Sequence, residues 1–297
     1  MIWNIILKSL LFAFWAIVVG LLFIGLGRKI SARIHKRYGP PFYQQFMDVI
    51  KLLTRKSISH NYVMIFGFIM ALGGLIATSL FIPIAGHLPY DSNGPIFLII
   101  YLMAIGYLGM AMAVSASGNP NAPLGIGRAL TLMLGYEIPF AAILILFIGL
   151  TRSSSLITIA DAQAGGFLSW NIVRYPLAFL AMEVTVQAMM AEKPFDQMIA
   201  PAEIASGPLV EAGGKFLGLG WIQMAVGIYI ETGLVVNLFL GGASNVLFFT
   251  LKQFVVFFLA MCINAIMPRF RIEQAVIYLW TVPLGLALLQ MLIVFVM

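Results

Sequence analysis

Five of the chain's eleven carboxylates, Glu183, Glu192, Asp196, Glu203 and Glu211, fall within 29 positions of a sequence that is 62% hydrophobic and 9% charged. Two more acids, Glu137 and Glu231, stand inside long apolar runs. A carboxylate near the centre of a bilayer costs a few kcal/mol on insertion scales, so it normally faces protein or water and marks a proton or ion path. Counted inclusively, Glu137, Glu183 and Glu231 each lie twelve to fourteen residues from one end of an apolar run. At about 1.5 Å per residue that is mid-depth. The opposing reading is a static pair or a protonated donor that holds helices together. For Glu231 one candidate partner is Lys252, reached across a hairpin at Gly241-Gly242-Ala243-Ser244; such a pair could also be a relay element.

The outer part of the acidic stretch is punctuated by Pro194, Pro201, Gly207, Pro208, Gly213 and Gly214, which excludes one continuous helix. If Pro201 opens a short helical piece, Glu203 sits in its first turn, where the helix dipole favours an anion. Phe195, Met198, Ile199, Ile204, Leu209 and Val210 accompany the acids, and that points to packing against a partner instead of a solvated loop. Asp196, Glu203 and Glu211 are therefore expected at the mouth of an acidic channel feeding Glu183, Glu137 and Glu231.

The elements that position these groups are membrane helices. Mean hydropathy is +1.01, and a span needs about 20 apolar residues. Residues 62–86, 95–117 and 275–297 meet this without an Asp, Glu, Lys or Arg. Residues 4–27, 129–150, 172–191, 216–242 and 245–267 meet it with one or two. The expected fold is an all-α membrane protein, a bundle of about eight transmembrane helices in one domain over 1–297. The runs are too long and too uniformly apolar for an outer-membrane barrel, and the first lacks the layout of a cleaved signal.

Arg28, Lys29, Arg33, Lys36, Arg37, Lys51, Arg55 and Lys56 fall in residues 28–61, which places that loop on the cytoplasmic side. Alternation then brings Arg128, Lys193, Lys215, Arg269 and Arg271 to the same side, together with the acidic segment 191–216, in a multi-pass protein of the cytoplasmic membrane. The net charge of +6 is explained by flanks facing anionic lipid and calls for no nucleic acid. A lone Cys262 excludes a disulfide framework or thiolate cage within the chain. His35, His60 and His87 are scattered and read as surface residues.

Within the first loop, residues 41–53 repeat apolar side chains at helical spacing (Phe42, Phe46, Val49, Ile50, Leu53), with Gln44, Gln45, Asp48 and Lys51 on the other side. This predicts an amphipathic helix along the cytoplasmic face, either an interfacial anchor or one wall of a docking surface made of Arg37, Gln44, Asp48, Lys51, Phe195 and Asp196.

The runs Arg37-Tyr38-Gly39-Pro40 with Gln44, Asp48-Val49-Ile50-Lys51-Leu52-Leu53, Tyr136-Glu137-Ile138-Pro139 and Pro194-Phe195-Asp196-Gln197 resemble the NADH dehydrogenase subunit 1 family, and Glu203 and Glu211 match its acidic positions by spacing from Asp196. The resemblance covers the entire chain. It implies a membrane subunit of respiratory complex I or of the related energy-converting [NiFe] hydrogenases, joining an iron-sulfur arm to an ion-translocating arm. Quinone-reducing members usually carry acids where this chain has Ile199, Pro201 and Met224. The wording Tyr38 to Gln44, with Lys51 and Ser57-Ile58-Ser59-His60, is most similar to the hydrogenase-type subunits. The resemblance thus implies a non-catalytic coupling subunit of a ferredoxin-dependent hydrogenase or its sulfur-reducing relative. Its partners would be peripheral hydrogenase-like and iron-sulfur subunits and antiporter-like membrane subunits. Iron-sulfur clusters and a nickel-iron site would lie in those partners, with no cofactor or metal in this chain. A quinone-reducing complex I subunit and a stand-alone secondary ion transporter are the alternatives. Against the transporter, the two halves show no inverted repeat.

Overall fold

A computed structural model of the chain describes residues 2–57, 59, 61–89, 94–115 and 117–296. Ile58 and His60 of the motif above, and residues 116 and 297 of two expected spans, lie outside the described residues. Among the described residues all the regular elements are helical. Seven helices are long and apolar enough to cross a membrane: α1 (Ile2–Ile34), α3 (Tyr62–Ser79), α4 (Ile96–Ser115), α5 (Asn121–Thr151), α10 (Lys215–Phe239), α11 (Val246–Ile266) and α12 (Ile272–Val296). Between them lie α2 (Gln44–Thr54), α6 (Leu156–Asp161), α7 (Asn171–Arg174), α8 (Pro176–Met189) and α9 (Pro201–Ile204).

The expected span over 172–191 is realised as α7 and α8, broken at Tyr175. Pro176 pushes the residue before it out of the helical region, and Tyr175 takes φ −130, ψ 64. The 14 residues of α8 rise about 21 Å, short of a hydrocarbon core of about 30 Å. In contrast, α1 runs seven residues past its expected end, since nothing from Arg28 to Ile34 opposes a helix and cations favour its C-terminal turns.

Helix α10 is the axis of the bundle. It is 94% buried over its most apolar stretch, against 22% for α12, and it packs on α1, α2, α3 and α11. Close approach depends on small residues: a Cβ on Gly20 of α1 would collide with the Ala225 backbone of α10. Several basic residues gather at one end of the bundle, where Gly214 lies against the Arg55 and Lys56 backbone and Arg28 stands over the Trp221 ring at 5.5 Å.

Helix α2 forms beside this end, rotated from the expected orientation. Gln45 and Val49 are buried, whereas Phe42, Met47 and Ile50 are about half exposed. The rotation follows from its attachments: Arg28 pairs with Asp48 at 3.1 Å, Gln44 donates to Asp48 at 2.9 Å, and Leu52 and Leu53 pack on Gly218.

Candidate functional site

The segment between α8 and α10 folds over the basic end of the bundle. It is stitched to the 267–271 turn by backbone and side chain: Phe270 N–H donates to the Pro194 carbonyl at 3.0 Å, and Gln197 Nε2 donates to the Phe270 carbonyl at 3.3 Å. Four non-glycine residues in it, Ala191, Ala200, Ala205 and Ser206, adopt positive φ. Such conformations each cost on the order of 1 kcal/mol or more and persist only where surrounding contacts over-determine them.

Arg269 supplies those contacts at the centre of the segment. Its Nε and Nη2 donate to the two Asp196 carboxylate oxygens at 2.7 and 2.6 Å, the fork geometry that suits guanidinium to carboxylate. Its Nη1 donates to Glu203 at 3.1 Å, and Arg128 of α5 donates to the other Glu203 oxygen at 2.8 Å. The hydrogen bonds from Arg128, then those from Arg269, hold the Glu203 carboxyl below its ordinary range. Glu203 stands in the first turn of α9, as Pro201 predicted. Glu211 lies apart from this cluster and accepts from Ser117 Oγ at 2.6 Å and from the Gly118 N–H at 3.2 Å.

Phe195 is not a docking residue. It is 1% exposed, with its ring against Phe270 at 5.8 Å and Tyr278 at 6.2 Å. Met198, Ile204 and Leu209 are buried likewise. The apolar residues that pointed to a partner close the segment onto its own bundle, because the chain offers them a nearer apolar surface. Of the other expected docking residues, Arg37 and Lys51 are exposed, while Gln44 and Asp48 are engaged with one another and with Arg28.

Beneath the segment lies a cavity of about 70 Å³ between α3, α4, α8 and α10. Glu231, Gln223, Gly227, Tyr107 and several methionines line it. Glu231 is 3% exposed, and its Oε2 has no hydrogen-bond partner among the described residues; neither has Gln223 Oε1. A smaller void of about 10 Å³ lies beyond, lined by Glu137, Tyr136 and Phe140, and the two share Met103, Tyr107 and Met189. Tyr107 donates to the Met189 carbonyl at 3.1 Å and meets the Tyr136 ring at 6.4 Å. Both tyrosines lie within electrostatic reach of Glu231 and of Glu137. The structure thus brings Glu231 and Glu137 to adjoining cavities. It leaves Glu183 elsewhere, with both oxygens buried and unpartnered on α8 but lining neither void.

Lys252 does not pair with Glu231. Its ammonium donates to the carbonyls of Leu240 and Gly242, both at 2.6 Å, and rests 4.1 Å from the Trp170 ring centre. The C-terminus of α10 leaves carbonyls without helical partners, and a cation there satisfies them.

Glu192 is the group that sequence reasoning passed over. It follows the end of α8, and burial pushes its carboxyl up to about 7, with Asp196 acting in the same direction and Lys193 against it. Its charge is felt at Glu231. Glu192 thus lies within electrostatic reach of both Asp196 and Glu231. A signal was present: Glu192 is the acid immediately preceding Lys193-Pro194-Phe195-Asp196.

Among the described residues no group of three or more His, Cys, Asp or Glu could hold a metal ion. A family model described as NADH dehydrogenase matches residues 7–295. The chain is also similar to one in the solved structure of the membrane-bound sulfane sulfur reductase, an archaeal respiratory membrane complex. The two share 36% identity at a TM-score of 0.92, over 97% of this chain and 99% of that one.

Proposed function

The chain belongs to the NADH dehydrogenase subunit 1 family, and from that premise we propose that it is the membrane coupling subunit of a ferredoxin-dependent complex of the [NiFe]-hydrogenase or sulfur-reducing branch. It docks a peripheral iron-sulfur arm at its basic, cytoplasmic end and links electron transfer there to proton or sodium movement within the membrane. The observation that carries the reading is the placement of Glu231: a buried carboxyl without a basic partner, on the central helix, lining a cavity that reaches the acidic segment and adjoins the void lined by Glu137.

Each residue has a distinct part in this scheme. Glu192, next to the Ala191 that lines the cavity, takes up a proton near neutral pH, and its charge acts on Glu231. Tyr107 and Tyr136 span the gap to Glu137. Arg269 holds Asp196 and Glu203, so that a partner pressing on the segment shifts the clamp and with it the charge balance around Glu192. A change in a partner's charge can move this equilibrium only through such differential contacts. Ile199, Pro201 and Met224, where quinone-reducing members carry acids, favour this branch over quinone reduction.

Purification in mild detergent with metal analysis tests the assignment. The chain is expected to co-purify with iron-sulfur subunits, with nickel present in the hydrogenase branch and absent in the sulfur-reducing one. Recovery of the chain alone would support a stand-alone transporter, and inhibition by quinone-site blockers would support the complex I alternative.

A further inference from the structure

The cavity beside Glu231 has a lining that carboxylate chemistry does not require. Six of the chain's seventeen methionines face it: Met103, Met110, Met189, Met190, Met198 and Met224. They form two groups. Met110 and Met198 belong to the cluster nearer the basic end, with Met224 packed against it, while Met103, Met189 and Met190 belong to the main core around Glu231 and Tyr107. Gln223 and Glu231 are eight residues apart on α10, about 12 Å along its axis, so the cavity runs lengthwise and has one unpartnered acceptor towards each end.

Thioether sulfur is a soft ligand. It suits Cu+ and is a poor match for Na+, Mg2+ or Ca2+, which take oxygen. Methionine also serves as a flexible filler of irregular cores, and six thioethers alone would say no more than that. The second observation is a buried carboxyl oxygen without a partner among the described residues. Glu231 is 3% exposed, with an unpartnered Oε2, and lines the same cavity, and Lys252, its candidate partner in the sequence, is engaged elsewhere. Neutral soft ligands beside one buried carboxylate match a soft cation of single charge.

We propose that this cavity is a binding site for one soft monovalent cation, Cu+ or Ag+, held by the thioethers of Met103 and Met189 with Glu231 as its counter-charge. Entry exchanges the cation for the proton of Glu231, with no change in net charge and no electron transferred. The site does not depend on the coupling role, because occupancy is read from bound metal and not from ion movement.

Silver nitrate, in chloride-free buffer, is the probe. The full chain is purified in detergent with Cys262→Ser, so that its lone thiol cannot compete, then desalted, and its silver is counted by mass spectrometry. Retention of about one Ag+ per chain is expected. Met103→Leu with Met189→Leu nearly conserves volume and removes both sulfurs, and should weaken retention by about ten-fold or more, as should Glu231→Gln. Met291→Leu, outside the cavity, is expected to retain silver like the parent. Should the double variant fail to fold, Met103→Leu alone is read in the same way. No retained silver in the parent, or equal retention in the cavity variants, would overturn the proposal.

Discussion

The carboxylates at the basic end and those inside the bundle are chemically the same and are held in opposite ways. Asp196 and Glu203 are gripped by Arg269 and Arg128 through four charge-assisted hydrogen bonds, whereas Glu183 and Glu231 have buried oxygens with no donor among the described residues. The first set is tied to fixed partners and fixes a fold. The second set has no such partner. Acid content alone therefore does not say how an acid is held; the distribution of arginine does, and Glu192 stands at the boundary between the two regimes.

The contrast is broken most directly at Glu231. Replacement by Gln keeps the shape and removes the exchangeable charge, and ion movement in reconstituted vesicles should fall to background while the complex assembles and transfers electrons. Unchanged ion movement would remove Glu231 from the path. Arg269→Met attacks the other side. It strands the largely buried Asp196 and leaves Glu203 to Arg128 alone, and should cost about 2–3 kcal/mol after allowance for partial exposure, seen as a lower melting temperature of the solubilised protein. A melting curve identical to the parent's would show that the clamp holds nothing.

Glu192→Gln tests the boundary. The folded state holds this carboxyl at about 7, above the ordinary 4.5. It therefore binds more protons than the unfolded state between those values, and stability declines as pH rises through that window before levelling above it. The Gln variant should lose this decline, measured as unfolding midpoint against pH; a retained slope would assign it to another group. The smallest effect is expected at Glu203, whose side chain is 49% exposed. Glu203→Gln should cost under about 1 kcal/mol and leave ion movement intact, and a loss of coupling there would return Glu203 to the path.

The spans were legible because apolar length is a local property, and seven of the eight expected runs form helices long enough to cross. The eighth carried its own break signal at Pro176, masked by an apolar stretch on either side. The site was less legible because its contacts are distant in sequence. Arg269 lies 73 residues from Asp196 and Arg128 lies 75 from Glu203, and no periodicity announces such pairs. Phe195 shows the same limit: an apolar residue in a broken segment can face its own bundle or a partner, and only the fold decided. Whether Lys252 pairs with Glu231 was open in the sequence for a similar reason, since the carbonyls that hold it belong to the end of a helix and the turn after it, not to any side chain.

The position of Glu231 along α10 also has an electrical meaning. It lies sixteen residues beyond Lys215, about 24 Å along the helix, while Glu192 remains at the rim. A full crossing of the membrane voltage is worth about 2.3 kcal/mol per charge at 100 mV. Loading Glu192 would consequently be almost voltage-independent, and loading Glu231 would draw on much of the field. Current recorded as the membrane is polarised would then report the inner step alone.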